Sequence, residues 1–171
     1  MCYDSTMEGN EVMFTVGQHV VYPQQGMGII RSIEEKKHGG ATEKYYSIYL
    51  KNSDMNIMIP VNRAASIGIR SVVTAEEAKA AIDGIKGKVR SSTQDWKQRL
   101  HQSQELLNDG AIASIAKVVQ TLYHRSKIKE LPIQEKRIYE GALSLLIEES
   151  SLALNLGEEE ISALILERLE S

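Results

Sequence analysis

The sequence predicts an α+β protein in which a small β barrel is followed by an all-α helical domain of about five helices. Three observations predict it. The stretch YYSIYL alternates, with Tyr46, Ile48 and Leu50 on one side and Tyr45, Ser47 and Tyr49 on the other, which is the period-two signature of a strand with one face on a core. Turn residues cut the chain around it into short runs. After Arg70 the apolar period lengthens to that of a helix, and no convincing strand signal returns.

From Phe14 to Ile69 the runs are HVVYP, GMGIIRSIE, EKYYSIYLK, NIMIPV and SIGI, separated by Gly39-Gly40, by Asn52-Ser53-Asp54 and by tight bends at Gly26 and Gly28. Five such strands fit a Tudor-like (SH3-like) barrel better than a sandwich, which needs about seven. Thr74 and Glu77 form a capping box for a helix over Ala75 to Ile85, ended by the Gly84/Gly87 pair. The basic linker KGKVRSS follows. A second helix is expected from near Thr93 to Asn108, with Ser92 or Thr93 as cap and Asp95 in its first turn, where a carboxylate faces the positive end of the helix dipole. Ile112, Ile115, Ala116, Val119, Leu122 and Tyr123 make the apolar stripe of a third, after Gly110. Pro132 opens a long fourth reaching Leu156 and stopped by Gly157, and Ile161, Leu164, Ile165 and Leu169 mark a short last one. The expected organisation is a disordered tail over 1–13, a barrel over 14–70 and a helical domain over 71–171.

The 171 residues, 42% hydrophobic and 25% charged, have ordinary soluble globular composition. No run is long and apolar enough for a membrane span, and the start MCYDSTMEGNEVM lacks the order of a secretory signal, so a cytoplasmic monomer is expected. The single Cys2 excludes an internal disulfide. Four scattered histidines offer no metal-ligand spacing, so no metal is expected. The net charge of -3 hides an uneven distribution: residues 1–78 net -2, 79–137 net +6 and 138–171 net -7. A basic middle in an acidic chain suits a local anionic partner, phosphate being the commonest, although lysines that only solvate helix faces give the same count.

Catalytic arrangements are missing. There is no phosphate-binding glycine loop, no nucleophile elbow and no metalloprotease helix, and the GMG at Gly26 is too short for a phosphate fingerprint. Glu158-Glu159-Glu160 sits where carboxylates favour a helix N-terminus, and His124 and Arg125 sit where cations favour a helix C-terminus. The sequence therefore points away from an enzyme, with no cofactor.

Trp96, the only tryptophan, lies in SSTQDWKQRL, in the first turn of the second helix. A bundle tryptophan is usually buried, and Leu100, one turn on, would share its face. Against that stand its polar surroundings and the flanking Lys86, Lys88, Arg90, Lys97 and Arg99. First-turn amides and basic side chains hold phosphates, and an aromatic side chain between them suits a wedge into a base step. The residues alone leave both readings open.

Taken together, FTVGQHVVYPQQGMGIIRSIE, IMIPVNRAASIGIR, DWKQRL and LPIQEKR resemble the CarD/CdnL family of bacterial transcription regulators, in order and spacing from about Phe14 to Leu169. The resemblance implies a Tudor-like domain, shared with transcription-repair coupling factors, that docks on the RNA polymerase β subunit largely by strand addition. It also implies a helical domain that meets promoter DNA at the upstream edge of the bubble, where a tryptophan wedge stabilises the open complex. Carried over by position, the polymerase-binding residues are Ile48, Met58 and Pro60, with Lys36 at a position basic in some relatives; other members place arginine at Met58. For DNA, Trp96, Arg99 and Lys136 match, and Lys97 and Arg90 add basic charge. Gln98 and His101 depart from a basic pattern. A protein-interaction module without DNA contact, with Trp96 in its core, is the alternative from another class.

Overall fold

The computed structural model describes residues 13–87, 89 and 94–171. Arg90, the Ser92/Thr93 cap and the first twelve residues of the expected tail lie outside the described residues. The chain divides into two compact units between Ser71 and Val72.

The first unit is a five-stranded antiparallel sheet built from β1 (His19–Tyr22), β2 (Gly26–His38), β3 (Ala41–Leu50), β4 (Met55–Pro60) and β5 (Arg70–Ser71), in the order β4-β3-β2-β1-β5. β2 and β3 make a hairpin in which His38 faces Ala41. The two residues between them, Gly39 and Gly40, have φ of 56° and 86°, the left-handed backbone that a two-residue turn of this twist demands at both central positions. Phe14, Val20, Ile30, Tyr46, Ile48, Leu50, Val61, Ala64 and Ile69 form the core. Gly28 lies against it because nothing larger fits: a Cβ there would meet Ile48 Cγ2 at 2.8 Å and the Tyr49 carbonyl at 3.2 Å. Tyr46 is fully buried, and its hydroxyl accepts from the backbone N–H of Met13 (2.9 Å) and Phe14 (3.3 Å), which secures the start of the unit.

Two details depart from expectation. SIGI is not a strand: after a 3-10 turn (Val61–Arg63) the chain makes one helical turn, α1 (Ala64–Ile67), and the last strand moves to Arg70–Ser71, where it pairs with Val21 and Val20. A four-residue apolar run does not distinguish a strand from a helical turn by periodicity. In addition, β2 carries a bulge between Ile30 and Ser32, so that Arg31 has no cross-strand counterpart in β3.

The second unit holds α2 (Ala75–Asp83), α3 (Trp96–Asp109), α4 (Ile112–Ile128), α5 (Ile133–Leu154) and α6 (Glu158–Glu170). The capping box at α2 is formed in both directions, Thr74 accepting from the Glu77 N–H and Glu77 accepting from the Thr74 N–H. The α4 stripe from Ile112 to Tyr123 is buried throughout, against Ala142, Leu145 and Leu146 of α5 and Ile161, Ile165 and Leu169 of α6. α5 ends at Asn155, whose φ of 53° is left-handed, whereas Gly157 is the N-cap of α6. The expected stop at Gly157 is thus two residues late, because asparagine also adopts that conformation and ended the helix first.

Candidate binding surfaces of the two units

In the helical unit the first turns of α3 and α5 come together. Asp95, rather than Ser92 or Thr93, caps α3, its side chain accepting from the Gln98 N–H at 2.9 Å. Trp96 is the first helical residue and 38% exposed, so it is not a core side chain. The Lys97 ammonium stands 5.8 Å from the indole centroid, within cation–π range. Beneath them Arg99 is buried. Its Nη2 donates to Glu135 Oε1 at 2.8 Å, its Nε to Glu135 Oε2 at 3.4 Å and its Nη1 to the Gln94 carbonyl at 2.9 Å. Glu135 sits in the first turn of α5, with no exposed surface, and its neighbour Lys136 is exposed. The paired first turns therefore present an accessible indole and two exposed ammonium groups, chemistry suited to phosphates and an unstacked base.

In the sheet unit β4 is an edge strand, so one side of its backbone has no strand partner among the described residues. Opposed residues of antiparallel neighbours share a face. Pro60 opposes Tyr45, Met58 opposes Ser47 and Asn56 opposes Tyr49, and all six lie on the face away from the core. Arg31 stacks 4.7 Å over the Tyr49 ring and Lys36 stands 5.7 Å over the Tyr45 ring. The two phenols donate to Asp54 (2.6 Å) and Glu43 (3.0 Å). Those hydrogen bonds to carboxylates, helped by partial burial, hold both tyrosines above the usual phenol range.

Comparison with known proteins follows the same two-part division. Residues 14–73 match the model of the CarD-like/TRCF RID domain, and residues 80–166 match that of the CarD C-terminal domain. The chain is 32% identical over 151 residues to a Bacillus subtilis protein described as "Putative transcription factor YdeB", with 88% of this chain and 99% of that one covered. The chain belongs to the CarD family. It also matches the solution structure of the 72-residue N-terminal domain of Myxococcus xanthus CarD at 26% identity, with 36% of this chain and 81% of that one covered and a TM-score of 0.30.

Two residues that the CarD resemblance assigns to binding are spent inside the fold. Ile48 is 1% exposed in the sheet core and cannot meet a partner. The outward residues of its strand are Tyr45, Ser47 and Tyr49, which the alternation in YYSIYL already separated from it. Arg99 is 9% exposed and engaged through Nε, Nη1 and Nη2 with Glu135 and the Gln94 carbonyl. Met58 and Pro60 lie on the outward face, half-buried, and Lys36 is exposed. Trp96, Lys97 and Lys136 are exposed at the paired first turns, as are Gln98 and His101 on α3. Glu135 went unassigned in the sequence because its partner is 36 residues away. Among the described residues there is no cluster of three or more metal-ligating side chains and no helix long and apolar enough to cross a membrane.

Proposed function

We propose that this CarD-family protein is a non-enzymatic transcription regulator that binds the RNA polymerase β subunit and prolongs the promoter open complex. Its sheet unit docks by β4, an edge strand able to extend a partner sheet, with Met58, Pro60, Tyr45 and Tyr49 beside it. Its helical unit meets the upstream edge of the bubble through Trp96, with Lys97 and Lys136 on phosphates. The observation that carries this reading is the exposure of Trp96: the one tryptophan of the chain stands at a helix N-terminus and 38% open to solvent, while α2, α4, α5 and α6 supply the core. The CarD-like/TRCF RID match over the sheet unit and the transcription-factor description of the Bacillus subtilis relative support the same reading.

Open-complex decay in the presence of wild type and Trp96→Ala tests it. An indole that occupies an unstacked base step opposes re-annealing, and recovering about 1.4 kcal/mol of the cost of opening that step lengthens the lifetime roughly tenfold. Trp96→Ala is expected to remove most of this lengthening, and Trp96→Phe part of it, with melting temperature little changed. A loss near the about 3–5 kcal/mol of a buried aromatic, or an unchanged lifetime in the folded variant, would reject the insertion role.

A further inference from the structure

We propose that Arg99 and Glu135 are positioning residues, a buried two-pronged ion pair that clamps the first turns of α3 and α5 together and fixes Trp96 in the orientation from which it enters DNA. This rests on the reading of Trp96 as the inserting side chain.

The geometry of the pair comes first. Nη2 and Nε of one guanidinium engage the two oxygens of one carboxylate at 2.8 and 3.4 Å, which fixes relative orientation as well as separation. The pair is also dry, with side chains 10% and 0% exposed, so solvent does not compete for it. The third bond decides what is being held. Side chains on a helix lean toward its N-terminus, and Arg99, three residues after Trp96, reaches back to the carbonyl of Gln94, two residues before it. The tryptophan therefore sits on a turn tied from the chain that enters it and, through Glu135, from a neighbouring helix.

A first helical turn has no intrahelical partners for its leading N–H groups and is prone to fray. An indole mounted there would have to be ordered at the moment of binding, and that ordering weakens the complex. The clamp settles this beforehand.

With a single tryptophan in the chain, fluorescence of the free full-length protein reports the clamp directly. Arg99→Lys retains the charge but not the planar fork, and Glu135→Gln removes the carboxylate charge. In both variants, iodide quenching of Trp96 is expected to rise and its anisotropy to decay faster, with the open-complex lifetime falling toward that of Trp96→Ala. Arg99→Gln should leave the salt dependence of DNA binding unchanged. The double variant Arg99→Met/Glu135→Met fills the same space without a buried charge and should show the same loosened indole in a folded protein. Unchanged quenching and anisotropy in folded variants would overturn the clamp. So would a drop of about 0.9 in the salt slope of Arg99→Gln, which marks a lost phosphate contact. Failure of every variant, the double included, to fold would make the pair a requirement of the fold and overturn its positioning role. A loosened indole with unchanged lifetime would keep the clamp and reject insertion.

Discussion

On β3, neighbouring residues have opposite fates: Ile48 is 1% exposed while Ser47 and Tyr49 lie on the outer face. On α3, Trp96 and Arg99 stand on one side of the helix within a turn of each other, yet the apolar one is open to solvent and the charged one is buried. Exposure in the sheet follows from the pleat, a local property in which each step along the chain reverses the face. Exposure in the helix is decided by a distant residue, since without Glu135 a buried guanidinium would be untenable. A binding surface on the sheet unit can therefore be read from parity, whereas one on the helical unit requires knowledge of the tertiary partner.

The hardest way to break this comparison is to remove that partner. Glu135→Ala leaves the Arg99 charge unpaired and should lower stability by about 3–5 kcal/mol in urea unfolding. A cost within the roughly 0.5 kcal/mol of a surface substitution would mean that α3 sets its own exposure. In the sheet, Ile48→Ala should cost about 2–5 kcal/mol as a core truncation. Met58→Glu, one strand over and on the other face, should leave the melting temperature in place while abolishing capture of the polymerase β subunit, because it puts an unpaired carboxylate into the docking surface. Equal melting losses for the two would refute the assignment of faces. The smallest effect is expected from Lys136→Gln. With Lys97 and Lys136 each neutralising one phosphate, the slope of log K against log salt should be roughly -1.8 and fall to about -0.9 in the variant. A wild-type slope near -2.7 would return Arg99 to the DNA.

Much of the fold was legible in the sequence because its signals are local. The Thr74–Glu77 box, the stripe from Ile112 to Tyr123 and the alternation in YYSIYL each need only neighbours a few residues apart, and each forms as read. The α5 stop was misread because Asn155 competes with Gly157 for the left-handed position, a choice that composition alone does not rank. At the candidate site, Trp96, Lys97 and Lys136 could be identified by residue type and spacing. Arg99 could not be separated from Lys97 and Lys136, as the three cations look alike in sequence and only the 36-residue reach to Glu135 tells Arg99 apart. Ile48 is different, since its own alternation contradicted the role that positional resemblance gave it.

The bulge at Arg31 works as a phase slip. Before it, Gly28 and Ile30 point inward in pairs with Leu50 and Ile48; after it, the inward residue is Ile33, opposite Tyr46, three positions on instead of two. The extra residue resets the sheet's odd–even frame for the rest of β2, including Lys36. Substituting Arg31 would forfeit its stacking on Tyr49, whereas deleting it would leave Ile30, Ser32 and Ile33 opposite Ile48, Ser47 and Tyr46 in an unbroken alternation, so that the faces would be kept and only the local bend of the bulge lost.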